Sequence, residues 1–167
     1  YAQFFPITAG SGFLGHLVYN IKLARRLNKA DTDIIHAHGQ NSFSLFLSSP
    51  KTSTVTTFHG TYAGLERLRN PWRKIPIWNP LKIFDKYGAK ASDKVIACSN
   101  GLKQELVHYY DIPEEKITVI HNGVDTEHYR SFDRKEAIKE LNLDENVRYM
   151  SWIGNMKRRK GFQEAIE

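Results

Sequence analysis

The chain has 167 residues, 41% of them hydrophobic and 12% aromatic, which is enough apolar material for a folded core and excludes wholesale disorder. Lysine and arginine outnumber aspartate and glutamate by 24 to 18, and the net charge of +6 favours acidic partners such as phosphates, nucleic acid or anionic lipid. The single cysteine, Cys98, excludes an intrachain disulfide framework, and no apolar run approaches the roughly 18 residues of a membrane span, so the expected location is the cytoplasm.

Strands and helices are predicted to alternate along the first two thirds of the chain. Residues 2–7 predict a strand, and a turn rich in glycine leads from it to an amphipathic helix at 16–27. Further strands are predicted at 32–37, 51–58, 93–98 and 117–120, with helices between them at 41–49, 80–91 and 100–110. This order predicts an α/β fold with a parallel sheet and helices on its faces.

A domain boundary is predicted near residue 124, where the hydrophobic periodicity stops and the polar stretch 124–134 begins. We therefore divide the chain into a domain at 1–123 and a second region at 124–167. The second region predicts a helix at 135–143, a strand at 147–153 and a helix from 162. Because Tyr1 lies inside a predicted strand and Glu167 inside a predicted helix, we expect neither to be a native end of the protein.

The segment TVTTFHGTY places His59 directly after a β-branched strand and before Gly60. Open parallel sheets bind their ligands outside the carboxyl ends of the strands, so His59 is a candidate for chemistry as well as for packing. The segment DIIHAHG ends another predicted strand in the same way, with His36 and His38 followed by a glycine. Two strand ends are therefore expected to present histidines at one edge. A zinc site is the competing interpretation, but a His-x-His pair without a nearby cysteine is a weak ligand signal.

Two glycine-bearing turns are candidates for binding an anion. The turn TAGSGFLGH carries Gly10, Gly12 and Gly15 before a helix, where backbone amides can receive a phosphate. Its spacing matches the dinucleotide pattern G-x-G-x-x-G, but no clear acidic residue ends a second strand about 20 residues later, so nicotinamide binding is weakly supported. The basic loop KRRK at 157–160 precedes Gly161 and a predicted helix, and it is either a diphosphate site or a solvated turn.

Residues 62–90 form a basic aromatic segment that holds most of the excess charge. It carries a net charge of +5 and five aromatic rings. Such a mixture suits a membrane interface, where rings lie at headgroup depth and cations meet anionic lipid, and it also suits single-stranded nucleic acid. Packing of the segment on its own domain is the third interpretation.

Five segments, in order along the chain, resemble the successive signatures of the retaining glycosyltransferases of family 4, which have the GT-B fold. They are DIIHAHG, TFHGTY, SDKVIACSNGLKQEL, ITVIHNGVDTEHY and WIGNMKRRKGFQEAI. The resemblance implies two Rossmann-like domains, each a parallel sheet with helices on both faces, with the acceptor held by the N-terminal domain and the donor by the C-terminal one. It also implies transfer of a sugar from a nucleotide-sugar to a sugar, polysaccharide or lipid-linked acceptor, with retention of anomeric configuration and without metal or cofactor.

The resemblance assigns roles to individual residues of this sequence. His59 is expected beside the donor sugar as the catalytic residue. The residues expected at the donor phosphates are Gly12, Arg159 and Lys160. The residues expected on the acceptor side of the cleft are His16, His38 and Gly60. The charge and the rings of the basic aromatic segment, and not the resemblance, predict an acceptor or membrane surface at Arg67, Arg69, Arg73 and Lys74. The expected partners are thus a nucleotide-sugar, an acceptor and an anionic membrane contacted from one side, and not nucleic acid.

Three departures from the family pattern bear on these roles. Asn155 stands where the family usually has an arginine that binds phosphate, the stretch 27–33 is shorter than usual, and the family's paired glutamates would lie beyond Glu167. We therefore expect this chain alone to be inactive. The alternative function is a non-catalytic nucleotide- or lipid-binding Rossmann-like module. A nucleic-acid binder is a third function, which would lose affinity steeply as salt is added.

Overall fold

The computed structural model describes residues 12–69, 80–155 and 160–166, and the chain divides into two compact units, Tyr1–His121 and Asn122–Glu167. The elements of the first unit are α1 (Gly12–Leu27), β1 (Ile34–His38), α2 (Phe43–Ser48), β2 (Ser53–Phe58), α3 (Tyr62–Arg69), α4 (Lys82–Ala91), β3 (Lys94–Ala97), α5 (Asn100–Tyr110) and β4 (Ile117–Val119). The elements of the second unit are α6 (Arg134–Glu140) and α7 (Phe162–Ile166). Two short 3-10 turns, Gly39–Ser42 and Glu114–Lys116, precede α2 and β4.

Four parallel strands form the sheet of the first unit, in the order β1-β2-β3-β4. Ile34 pairs with Ser53 and Val95 pairs with Ile117, so each strand lies beside the next one in the sequence. Parallel neighbours require a crossover connection, and at least one described helix lies between each pair of strands. All four strands therefore end at the same side of the sheet, which we call the carboxyl edge. The predicted α/β fold with a Rossmann-like parallel sheet is confirmed.

One face of the sheet is buried. In β2, Thr54, Thr56 and Phe58 are all buried, as expected for alternate residues that share a covered face. Phe58 belongs to a core cluster that continues to α5, where Leu106 and Tyr110 are almost fully buried. A buried hydroxyl without a partner would destabilise the fold, and the Thr56 hydroxyl lies 2.6 Å from that of Ser92. The core thus lies between this face of the sheet and α5.

The opposite face of the sheet carries the histidines of β1. Along this strand Ile34, His36 and His38 are exposed, whereas Ile35 and Ala37 are half-buried. His38 lies in register with Thr57 of β2. The end of β1 and the end of β2 are therefore neighbours on this face.

Helix α1 confirms the predicted amphipathic helix, with one polar residue among those it buries. Ala24 and Leu27 are buried, whereas Ile21 is exposed and Asn20 is buried beside it. The Asn20 amide donates a hydrogen bond to the His16 carbonyl at 2.8 Å, so part of its polar side chain is satisfied within the helix. The apolar spacing of the sequence alone could not show that Asn20 is buried.

Helix α5 begins where the sequence predicted it. Ser99 has an extended backbone, and its Oγ accepts a hydrogen bond from the Leu102 N–H at 3.1 Å, which is the geometry of an N-cap. The helix ends at Asp111, which has a φ of +54°, and the Ile112 N–H then bonds the Leu106 carbonyl at 3.3 Å.

Thr54 and Asp93 pin the amino ends of β2 and β3 together. The Asp93 Oδ2 accepts hydrogen bonds from the Thr54 N–H at 2.7 Å and from the Thr54 hydroxyl at 2.9 Å. The Asp93 N–H donates to the Thr54 Oγ1 at 2.9 Å. These bonds hold the pKa of Asp93 below its usual value, because they stabilise the carboxylate. The register of the two strands is thus fixed at the edge opposite the carboxyl edge.

The second unit contains one prediction that is wrong. Residues 147–153 were predicted as a strand, but they have no regular secondary structure. A strand needs a partner for its backbone N–H and C=O groups, and among residues 122–155 and 160–166 no other strand is described. The predicted helix before it is present as α6, which Asp133 caps by accepting the Lys135 N–H at 2.8 Å.

Candidate active site

His59 lies at the carboxyl edge, in the turn that leaves β2. Phe58 is fully buried, whereas His59 and Gly60 are exposed, so the chain leaves the core between these residues. The His59 Nε2 lies 3.4 Å from the Nδ1 of His38, and the two rings are stacked with centroids 5.6 Å apart and planes 3° from parallel. The side chain expected to be catalytic thus contacts one expected on the acceptor side.

A third histidine completes this group. The ring of His36 lies 4.6 Å from that of His38, and the His36 Nε2 lies 2.8 Å from the hydroxyl of Thr57. The pKa of His38 is lowered, first by burial and then by the neighbouring His36 and His59, because a positive charge there would be poorly solvated and repelled by theirs. His38 is therefore neutral at pH 7 and can accept or donate one proton in a hydrogen bond.

The described residues include no group of three or more His, Cys, Asp or Glu side chains arranged to hold a metal ion. At the carboxyl edge the His38 ring is stacked on that of His59 and tilted against that of His36.

The first turns of α1 approach the same edge through a second set of contacts. The Gln40 amide nitrogen donates a hydrogen bond to the His16 Nδ1 at 3.2 Å, and the Tyr62 hydroxyl donates to the Gln40 Oε1. Gly12, where α1 begins, has a φ of +76°, and a Cβ placed there would meet no atom of the described residues within 4 Å. The start of α1 therefore combines a backbone that favours glycine with space that no described residue fills.

The first turn of α3 follows His59 and is held by side chains of α4 and α5. The Thr61 Oγ1 accepts the Gly64 N–H at 2.9 Å, which caps the helix. The Tyr62 N–H donates to the Asp85 Oδ2 at 2.7 Å, and the Ala63 N–H donates to the Tyr110 hydroxyl at 3.0 Å. Three consecutive N–H groups of this helix end are thus occupied, so the start of α3 is closed to a phosphate.

Asp85 is 2% exposed, and burial raises its pKa to about 6, while hydrogen bonds from the Tyr62 N–H and the Tyr110 hydroxyl act against that rise. The Tyr110 hydroxyl donates to the Asp85 Oδ2 at 3.0 Å. Burial and the nearby Asp85 also raise the pKa of Tyr110, so its hydroxyl keeps its proton. Thr61, the residue before Tyr62, also has a carboxylate partner, because its hydroxyl donates to the Glu105 Oε2 at 2.7 Å.

Part of the basic aromatic segment packs on its own domain, which is one of the three interpretations left open by the sequence. Phe84 is fully buried, and the Tyr62 hydroxyl is bonded to Gln40, so two of its five rings belong to the interior and the site. Lys82 pairs with Glu66, and Lys86 pairs with Asp111 at 2.8 Å. These two lysines therefore have partners within the chain.

Several predicted residues stand apart from the groups described so far. Gly60 is exposed, next to His59, and Lys160 is exposed in the second unit just before α7. Outside the described residues lie Arg73, Lys74, Arg159 and the side chains of Arg67 and Arg69.

Sequence reasoning missed Gln40, Asp85, Glu105 and Tyr110. Asp85 entered only the net charge of the basic aromatic segment, although it lies between Phe84 and Gly88 on the apolar side of a predicted helix. An acidic residue at a core position of an amphipathic helix is the signal that could have identified it. Gln40 and Tyr110 carry no comparable signal, because their partners are distant in the sequence.

Comparison with known proteins agrees with this architecture. Residues 3–128 match the model of Glycosyltransferase Family 4. The glycogen synthases of two Mycobacterium tuberculosis strains, CDC 1551 / Oshkosh and ATCC 25618 / H37Rv, are each 24% identical, over 92% of this chain and 36% of theirs. The crystal structure of a glycosyltransferase from Rickettsia africae ESF-5 is 25% identical, with a TM-score of 0.51 over 86% of this chain and 37% of that one.

This chain spans little more than a third of the length of these proteins. Among the residues that the structure describes, no helix is both long enough and apolar enough to cross a membrane. Because the family match covers most of the sequence and the parallel sheet agrees with the similar solved structure, the chain belongs to glycosyltransferase family 4.

Proposed function

We propose that this chain takes part in moving a sugar from a nucleotide-sugar donor to an acceptor, with retention of anomeric configuration and without a metal ion. The observation that carries the proposal is the contact between His59 and His38 at the carboxyl edge, in a chain of this family. Ligands of open parallel sheets bind outside this edge. The exposed imidazole of His59 at this edge is suited to contact a sugar.

His59 is the residue proposed to act on the donor sugar. When the bond between sugar and diphosphate opens, positive charge develops at the anomeric carbon and negative charge on the leaving phosphate. A fixed dipole close to these charges lowers the barrier, because it needs no reorganisation during the reaction. The stacking of His59 on His38 and the 3.4 Å contact between their nitrogens fix the plane of the His59 ring in advance.

The start of α1 is proposed as part of the donor phosphate site. The N-terminus of this 16-residue helix carries partial positive charge, and the open space beside Gly12 could admit a phosphate oxygen. We propose Arg159 and Lys160 as further phosphate ligands on their match to the family pattern. His16, His38 and Gly60 are proposed to face the acceptor.

The acceptor is proposed to be a sugar, a polysaccharide or a lipid-linked sugar. The mycobacterial relatives are named glycogen synthases, which supports a polysaccharide. The basic aromatic segment supports a lipid-linked acceptor, because cations near an anionic bilayer contribute about 1 kcal/mol each. For either acceptor we propose that the enzyme works in the cytoplasm. For a lipid-linked acceptor we propose that it also contacts the membrane.

The change His59→Ala tests the proposed catalytic role. In the intact enzyme it should lower the turnover number by about 10²-fold or more, a few kcal/mol of transition-state stabilisation, without unfolding the protein. The matched control is His108→Ala, since His108 is an exposed histidine on α5 that contacts only Tyr109 among the rings described. Release of nucleotide measures turnover, and NMR of the product gives the anomeric configuration. An equal loss of turnover in both variants would refute the role of His59. If the intact parent protein binds the donor but transfers no sugar, the non-catalytic module is the better assignment.

Sedimentation with vesicles tests the membrane contact. Binding should require anionic lipid, weaken as salt is added, and fall sharply when Arg67, Arg69, Arg73 and Lys74 are changed to serine. The matched control changes Lys82 and Lys86, which form ion pairs within the chain, and should bind nearly as well as the parent. If the quadruple variant binds as tightly as the parent, a soluble acceptor is the better assignment.

A further inference from the structure

Asp85 and Tyr110 form a buried polar pair beneath the turn that carries His59. Asp85 belongs to α4 and Tyr110 to α5, and both are almost fully buried. Their hydrogen bonds end on the N–H groups of Tyr62 and Ala63, which are the first two residues of α3. The pair therefore connects two helices of the core to the start of a third.

A buried polar pair of this kind stabilises a core less than apolar side chains of similar size would. Burial of a carboxylate in a low dielectric costs several kcal/mol, and an apolar residue of similar size usually packs there at lower cost. Among the described residues no lysine or arginine forms an ion pair with Asp85, so nothing in that part of the chain offsets its charge directly. The pair instead orients the start of α3, because two hydrogen bonds to consecutive N–H groups fix both the position and the rotation of a helix end.

The position of that helix end determines two contacts of the site. His59 and Gly60 immediately precede Thr61, whose side chain is held by Glu105 and by the Gly64 N–H. On the other side, the Tyr62 side chain reaches Gln40, which in turn orients the imidazole of His16. A movement of α3 would shift both histidines relative to any bound ligand.

We propose that Asp85 and Tyr110 are positioning residues, which place His59 and His16 for the reaction by fixing the first turn of α3. This inference rests on the proposed function for its effect on catalysis. Its geometric part, that the pair fixes the two imidazoles, is independent of the reaction. Displacements of about 1 Å at a reacting group can cost about 10²-fold in rate, so a loosened turn should be visible in turnover.

The test uses Tyr110→Phe and Asp85→Asn in the intact enzyme, with Asp111→Asn as control. Tyr110→Phe keeps the ring in the core and removes only the hydroxyl, and Asp111 is an exposed aspartate paired with Lys86. Each test variant should lower the turnover number about 10-fold to 10²-fold, change the KM for the donor little, and keep the far-UV circular dichroism of the parent. The double variant should be no slower than the slower single variant, since the two groups act as one unit.

NMR chemical shifts of the imidazole ring protons, recorded at one fixed pH, give a second measurement that needs no turnover. In both test variants the ring shifts of His16 and His59 should change by more than in Asp111→Asn, because the rings move relative to their neighbours. Unchanged ring shifts together with parent-like turnover in folded Tyr110→Phe would overturn the proposal. If His59→Ala has no effect on turnover while the ring shifts still change in Tyr110→Phe, the proposed function fails and the positioning pair stands. If His59→Ala is slow but Tyr110→Phe is not, the proposed function stands and the pair is only structural.

Discussion

The buried carboxyl of Asp85 should make the folded chain more stable as the pH falls, the opposite of the usual effect of an aspartate. Burial raises its pKa in the folded state from 3.8 to about 6. The folded chain therefore takes up this proton at a higher pH than the unfolded chain, and folding is favoured as the pH drops through 6 towards 3.8. At 1.36 kcal/mol per pKa unit, the gain between pH 7.5 and pH 4.5 is about 2 kcal/mol.

Urea unfolding of the parent and of Asp85→Asn at both pH values measures this effect. Asparagine has nearly the same shape and does not titrate, so other titrating groups cancel in the difference between the two proteins. The free energy of unfolding of the parent, minus that of the variant, should rise by about 2 kcal/mol from pH 7.5 to pH 4.5. For Asp111→Asn the sign should reverse, because the bond to Lys86 lowers the pKa of Asp111 and its contribution is lost as the pH falls. A difference for Asp85→Asn that is constant or falls would refute the reasoning.

Two further predictions concern packing and capping. Gly88→Ala should cost about 1–3 kcal/mol of unfolding free energy, because the new methyl group would overlap the Ser42 hydroxyl and lie 2.9 Å from the Phe43 backbone nitrogen; a variant as stable as the parent in urea would contradict this close approach of α4. Ser99→Ala should cost about 1 kcal/mol, because the Leu102 N–H loses its acceptor, and Ser99→Thr should recover most of that loss in the same assay.

The sheet could be predicted from the sequence because its strands carry local signals. The β-branched run before His59 and the apolar run before Ser99 each form a strand of the parallel sheet, as β2 and β3. Their neighbours in space are also their neighbours in sequence, so the order required no long-range information. The meeting of His38 with His59 followed from the rule that parallel strands end at one edge.

The residues that escaped prediction depend on long-range contacts. Asp85 receives its partners from α3 and α5, and its environment exists only when three helices are assembled. For the same reason the sequence left open whether Phe84 lies at a surface or packs on its own domain, and the structure shows it packed against Phe13 and Phe43. The strand predicted at 147–153 failed for a related reason, because apolar residues predict a strand only where a partner is present.

The hydrogen bonds between Thr54 and Asp93 align β2 and β3 at their amino ends, whereas ligands are expected at the opposite, carboxyl edge. Insertions or replacements in the loops of the carboxyl edge leave these hydrogen bonds intact, so the alignment of β2 and β3 is kept. Surface loops tolerate such changes far better than strands do. The turns that leave β1 and β2 at this edge can therefore change while the strand alignment is kept, and ligand preference can diverge between relatives on an unchanged scaffold.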